Sequence, residues 1–268
     1  MILVSPGEVA FEIFGFPVYY YGIILAFSCL LAVYTAKVVY SKIYNDGKAE
    51  FIWEAAPFAV IFGILGARLY YCIVNLDYYI FHPFEIFYIR GGGLSIHGGL
   101  IAGILALWFA SKKYKIPFLR LLDVFSIGTV LAQAVGRWGN FFNNEAFGLP
   151  YDGFFKLFIP LSKRPLDYIN YEFFHPAFLY ESLLNFCVFA LLLVVIKKFG
   201  VKIEGLTLSV YFILYSLVRL VVENIRVDSA LDVGNVHIAS IVSIIGLLAG
   251  IVMSLVLIFR YNRHKIPN

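Results

Sequence analysis

Residues 238–259 read IASIVSIIGLLAGIVMSLVLIF, a run of 22 positions without Asp, Glu, Lys or Arg. A helix rises ~1.5 Å per residue, so ~20 apolar residues cross the ~30 Å hydrocarbon core of a bilayer. Arg260, Arg263 and Lys265 follow the run at once, as anchors follow a span. Working outward from it, comparable runs occupy 17–40, 52–75, 94–111, 119–135, 176–196 and 206–222, which gives about seven transmembrane helices. Residues 78–89 are aromatic, interrupted by Pro83 and too short to cross, and are expected to lie in the interface.

Composition agrees with lipid as the solvent. The 268 residues are 61% hydrophobic and 14% charged, against about 25% charged in soluble domains. That is too little charge to wet the exterior of a soluble globule. The net charge of +4 is modest and sits in short clusters between apolar runs, unlike the basic stripe of a nucleic-acid-binding face. No nucleic-acid partner is expected. Cys29, Cys72 and Cys187 each fall inside an apolar run and are expected to be buried packing residues. The first 16 residues carry Glu8 and Glu12 and no basic region, so they do not read as a cleavable signal peptide.

Basic residues set the expected orientation. Lys37, Lys42 and Lys48 flank the first turn, and Lys112, Lys113, Lys115 and Arg120 follow the third span. Lys197, Lys198 and Lys202 follow the fifth, and Arg260, Arg263 and Lys265 the seventh. These 13 of 21 basic residues lie on alternate loops, which the positive-inside rule makes cytoplasmic. The chain is therefore expected to be an all-α polytopic membrane protein with its N-terminus out and its C-terminus in. It reads as a single integral membrane domain over 1–268, with residues 148–175 as an external loop or small cap.

Against this apolar background several polar residues stand out. They are Arg68 in the second span, His97 opening the third, and Arg137, Asn140, Asn143 and Glu145 closing the fourth. Glu181 lies one turn into the fifth, and Arg219, Glu223 and Arg226 close the sixth. All fall at the same expected end of the bundle. Tyr215, Arg219, Glu223 and Arg226 are spaced i, i+4, i+8 and i+11 and are expected on one helix face. Such charges cost about 2.5–3.5 kcal/mol each on insertion scales and face the bundle interior or a wet cavity. Structural ion pairs such as Arg219–Glu223 are the bland alternative; five helices contributing at one level point instead to a shared polar chamber.

Two glycine-rich segments frame part of this set. Residues 91–99 read GGGLSIHGG and residues 136–145 read GRWGNFFNNE. Glycines alone serve close helix packing in membranes, which accounts for Gly63 and Gly66 but not for the Arg, Asn and Glu. Among the histidines, His82, His175, His237 and His264 suit interface or loop roles. His97, inside the glycine frame, is the candidate titrating group.

At these residues the chain resembles the bacterial prolipoprotein diacylglyceryl transferases. The resemblance rests on Gly93-Leu94-Ser95-Ile96-His97-Gly98-Gly99-Leu100, on the segment from Gly136 to Glu145, on His175-Pro176-Ala177-Phe178-Leu179-Tyr180-Glu181, and on Arg219 with Glu223 and Arg226, in the same order over nearly the whole chain. Residues 17–22, PVYYYG, are also similar. Gly66-Ala67-Arg68 departs from an expected Gly-Gly-Arg, and 232–237 departs from the usual Gly-Gln segment. The resemblance implies transfer of diacylglycerol from phosphatidylglycerol to the lipobox cysteine thiol of a lipoprotein precursor. A thioether and glycerol-1-phosphate are the implied products, and the bacterial inner membrane, with the site toward its outer leaflet, is the implied setting.

In that reaction negative charge grows on phosphate oxygens, which suits the planar donor fork of arginine. Arg137 and Arg219 are expected to hold the phosphate and stabilise the leaving group. A free thiol has a pKa near ~8.5 and the thiolate is the reactive species, so His97 is expected to accept its proton or to orient the headgroup. Asn140, Asn143 and Glu145 are candidates for binding glycerol hydroxyls, Glu181 and Glu223 for orienting arginines, and Tyr21 for lining the cleft; Arg68, Tyr215 and Arg226 complete the candidate binding set. The spacing implies no metal or other cofactor.

Three other classes compete, of which a purely structural membrane protein is weakened by the number of intramembrane charges. An anion transporter would carry polar residues on toward the cytoplasmic side and show paired repeats. A serine protease would need Ser95 and His97 to face each other, which residues two apart on a helix do not.

Overall fold

The computed structural model describes residues 1–88, 92–227, 232–233 and 236–263, with backbone alone at 232–233 and 236–237. Gly91, His264, Lys265, the 234–235 pair within 232–237, and the His237 side chain lie outside the described residues, as does Ile89. In chain order the elements are β1 (Ile2–Leu3), β2 (Val9–Ile13), β3 (Phe16–Tyr19), α1 (Tyr20–Tyr44), α2 (Phe51–Val74), α3 (Leu76–Tyr79), α4 (Ile96–Tyr114), α5 (Phe118–Asn143), β4 (Lys156–Phe158), β5 (Phe173–Phe174), α6 (Ala177–Phe199), α7 (Leu206–Glu223), β6 (Asp232–Val233), β7 (Val236–His237) and α8 (Ile238–Arg263).

The protein is a mostly helical polytopic membrane chain. Six helices among the described residues (α1, α2, α5, α6, α7 and α8) are long and apolar enough to cross a bilayer. The expected third span is present as the 19-residue α4, but it is not one of the six. Its first turn holds His97, Gly98 and Gly99 and its last holds Lys112 and Lys113, so polar ends dilute a short apolar centre. The interface segment folds as α3 and a 3-10 turn at Pro83–Phe87.

Two compact units are present, one made of Met1–Ala36 and Asp123–Asn268, the other of Lys37–Leu122. In the second unit α2 and α4 run in opposite directions and touch through glycine. A Cβ on Gly98 would lie 2.2 Å from the Gly66 carbonyl oxygen, and one on Gly66 would lie 2.3 Å from the Ala102 Cβ. This is the small-residue contact by which membrane helices pack backbone to backbone.

In the first unit α6 packs on α7 and α7 on α8. The Asp123 carboxylate of α5 accepts hydrogen bonds from the backbone N–H groups of Gly205 (2.7 Å) and Leu208 (2.8 Å), capping the otherwise unpaired first turn of α7. Residues 148–175 carry strands that the sequence reading did not anticipate. The chain start joins them, β1 pairing parallel with β4 and β4 antiparallel with β5. Phe147, Leu157, Ile159, Phe174 and Phe178 form a small buried core beneath this sheet. The hairpin β2–β3 turns at Phe14 and Gly15, both at positive φ, as a two-residue hairpin loop requires.

Of the three cysteines, all free, only Cys72 is buried; Cys29 and Cys187 lie on outer faces of α1 and α6. The expectation that all three are interior therefore fails for two. In a membrane an apolar run does not distinguish a protein-facing thiol from a lipid-facing one.

Candidate active site

The ends of α5, α6 and α7 are stitched together by main-chain hydrogen bonds. After α5, Asn144 (φ 54°) and Ala146 (φ 53°) turn the chain back. The Phe178 N–H, at the start of α6, then donates to the Ala146 carbonyl (2.8 Å). Gly148 donates to the His175 carbonyl (2.8 Å), and Leu149 to the carbonyl of Ile225, just past α7 (2.8 Å). Gly148 is needed there, because a Cβ would lie 2.8 Å from the Ile225 oxygen and 2.9 Å from the His175 Cβ. One short segment thus fixes three helix ends, and with them the charged side chains each carries.

Those side chains meet in a chain of ion pairs. Glu181 of α6 is wholly buried. Its Oε1 lies 2.6 Å from Arg137 Nη2 of α5, in a contact that lacks hydrogen-bond alignment, and its Oε2 accepts from Arg219 Nη1 of α7 at 3.2 Å. Arg219 Nη2 also donates to Glu223 Oε2 at 2.5 Å. Glu181 therefore holds two guanidinium groups from two different helices. Two arginines and two glutamates cancel in charge, which is how buried ions are tolerated. Among the described residues these partners engage only part of each five-donor fork, which leaves further N–H groups of both arginines for a ligand.

Around this centre the other candidates fall at different distances. The Tyr215 hydroxyl lies close enough to Arg137 to interact with it electrostatically. Arg137 Nη1 donates to Asn140 Oδ1 at 3.4 Å, and the Asn140 and Asn143 amides reach the two oxygens of Glu145 at 3.3 and 3.2 Å. Tyr21 lies against α5, where a Cβ on Gly139 would be 2.7 Å from its ring. Its neighbour Tyr20 stacks on Phe142 with centroids 4.1 Å apart. Arg226 does not continue the α7 face. The helix ends at Glu223, and the Arg226 backbone bridges to Gly148 instead. The i+11 spacing fails because the chain turns at Asn224 and Ile225 to meet that bridge.

Arg68 and His97 belong to the other compact unit. Arg68 is buried and all five of its N–H donors meet backbone carbonyls. Nε donates to Ile86 (2.8 Å), Nη1 to Gly92 and Gly93 (both 3.0 Å), and Nη2 to Glu85 (2.5 Å) and Tyr88 (3.2 Å). With all five donors engaged, Arg68, expected above to bind substrate, acts in this structure as a clamp on its own loop. Gly93, at φ +72°, leaves room for the clamp; a Cβ there would lie 2.4 Å from Arg68 Nη1. His97 is exposed in the first turn of α4, its ring 6.1 Å from that of Tyr70.

Further polar residues, not singled out in the sequence, extend the cluster along its own helices. Gln133 Nε2 donates to the Tyr211 hydroxyl at 3.0 Å, and Tyr211 stacks on Tyr215 at 5.6 Å. Asn185 is fully buried and, among the described residues, neither amide atom has a partner. Each sits four residues from a recognised one (Gln133 from Arg137, Tyr211 from Tyr215, Asn185 from Glu181), so extending the i, i+4 stripes would have found all three. The polar stripe therefore runs at least one turn past the charged centre, farther than the sequence reading allowed.

His175 stands beside this site rather than in it. Its ring stacks on Tyr151 at 3.9 Å, and its Nδ1 is 3.2 Å from the Tyr180 hydroxyl. Burial holds its pKa below the usual histidine value.

Residues 8–256 match the family model for prolipoprotein diacylglyceryl transferase. The phosphatidylglycerol–prolipoprotein diacylglyceryl transferase of Acaryochloris marina is 40% identical over 249 residues, covering 93% of this chain and 90% of that protein. The enzymes of that name from Thermotoga maritima and Synechococcus elongatus are 41% and 40% identical, covering 92% and 97% of this chain and 83% and 90% of their own lengths. The chain belongs to the prolipoprotein diacylglyceryl transferase family.

Proposed function

We propose that this chain transfers the diacylglyceryl group of phosphatidylglycerol to the lipobox cysteine of a lipoprotein precursor, at the outer leaflet of a bacterial inner membrane. Family membership makes it a transferase, and the names of its relatives give the lipid and the protein substrate. The observation that carries the residue assignment is the bridge from Arg137 through Glu181 to Arg219.

In the proposed step the thiolate sulfur attacks the glycerol carbon, the carbon–oxygen bond to phosphate breaks, and the phosphodiester leaves as the monoester glycerol-1-phosphate. A thioether forms and the thiol proton passes to a base. Arg137 and Arg219 hold the phosphate, their remaining donors aimed where charge accumulates as the bond breaks. Glu181 and Glu223 keep both forks fixed before the substrate arrives, so little reorganisation is left for the reaction itself. Asn140, Asn143 and Glu145 serve the glycerol end of the headgroup, Tyr215 orients Arg137, and Tyr21 lines the lipid path. His97 is the proposed proton acceptor.

Purified protein incubated with phosphatidylglycerol and a lipobox peptide should raise the peptide mass by one diacylglyceryl group and release glycerol phosphate. Arg137→Ala should abolish both. Undiminished release by that variant would remove Arg137 from the site.

A further inference from the structure

Within the unit of residues 37–122, α2 and α4 leave an apolar groove of about 640 Å³ between them. Ala55 and Ala110 are buried at its floor, while Phe58, Phe62 and Phe109 stand exposed along its rim. Lys113 and Tyr114 close one end. Small residues beneath large ones make a furrow rather than the flat ridge of an ordinary lipid-facing helix.

Its length and its charged end together specify an occupant. From Ala102 to Lys113 is 11 residues, or ~16 Å of helix, about half of the ~30 Å hydrocarbon core. The groove is therefore as deep as one leaflet. Lys113, at its polar end, lies over the Tyr114 ring at 5.1 Å, and the adjacent Lys112, outside the lining, lies over the Trp108 ring at 5.7 Å. Both are exposed, and among the described residues neither has an acidic partner. Glu54, the nearby carboxylate, already accepts the Tyr114 hydroxyl at 2.8 Å. One uncompensated ammonium group at the mouth of a leaflet-deep apolar furrow, with a second on the neighbouring residue, matches a phosphate on an acyl chain.

We propose that this groove binds one anionic phospholipid, an acyl chain lying between α2 and α4 and its phosphate meeting Lys113 and Lys112. This lipid is distinct from the one consumed in the transfer reaction. A juxtamembrane lysine contributes about fivefold to anionic-lipid binding, so two give a preference well above tenfold over a zwitterionic lipid.

The test is native mass spectrometry of the full chain in detergent, with phosphatidylserine and phosphatidylcholine of matched acyl chains as probes. Wild type should retain one phosphatidylserine at least about tenfold better than phosphatidylcholine. Lys113→Gln, which leaves helix packing untouched, should cut that preference about fivefold. Ala106→Phe, which fills the furrow, should abolish the retained lipid. Equal retention of the two lipids by wild type, or a preference unchanged in Lys113→Gln, would overturn the headgroup contact. Phosphatidylserine retention in Ala106→Phe at the wild-type level would overturn the groove.

Discussion

Glu181 makes two cations from different helices share one buried anion, and its removal leaves both without their common partner. Breaking a buried pair this way costs about 3–5 kcal/mol, so Glu181→Ala should lower the thermal unfolding midpoint in detergent sharply. The isosteric Glu181→Gln should keep more of the fold yet lose about 100-fold in transfer rate, the scale expected when preorganised electrostatic donors are misplaced. Arg219 bridges Glu181 and Glu223 with different nitrogens of one fork. A lysine ammonium is a point charge without that fork, so Arg219→Lys should also lose about 100-fold, measured as glycerol phosphate release. At this scale much was legible in the sequence: a charge inside an apolar run stands out, and i, i+4 spacing pairs Arg219 with Glu223. Arg68 was not, because its carbonyl partners are backbone atoms of a loop 17–25 residues away and leave no mark on side-chain pattern.

Three elements owe their positions to contacts that single substitutions can break. Gly98→Val would place side-chain carbon against the Gly66 carbonyl and force α2 from α4. Overpacking of this kind costs about 1–3 kcal/mol, visible as a lowered unfolding midpoint. Arg68→Gln removes most of the clamp on Glu85–Tyr88 and Gly92–Gly93, so amide hydrogen exchange there should accelerate while exchange in α7 stays unchanged. The cap around β4 and β5 should answer to pH through His175. Burial lowers its folded-state pKa, so the unfolded chain binds the proton first. The stability this contributes is complete above the unfolded value near ~6.5 and declines as pH falls toward the folded value. A cap-specific unfolding signal, such as proteolysis within 148–175, should rise on acidification through that range, and His175→Gln should flatten the response. Helix existence was readable from hydropathy alone. The short strands were not, because β1 pairs with β4 across more than 150 residues and neither carries an alternation long enough to read.

For the whole molecule, the distribution of Lys and Arg predicts a C-terminus in the cytoplasm. A C-terminal fusion should be active with a reporter that works only in the cytoplasm and inactive with one that works only after export; the reverse would invert the proposed site's side of the membrane. The family was legible in the order and spacing of four motifs, and the match over residues 8–256 agrees with it. The meeting of α5, α6 and α7 was only partly so, since hydropathy places residues along a membrane normal and says nothing about which helices adjoin. The most direct test of a phosphate held between Arg137 and Arg219 is the mass of a lipobox peptide after incubation with phosphatidylglycerol and either wild-type or Arg219→Lys protein. The wild type should add one diacylglyceryl group, and the variant, with its helices folded by circular dichroism, should leave the peptide almost wholly unmodified. Equal conversion by the two proteins would contradict the account.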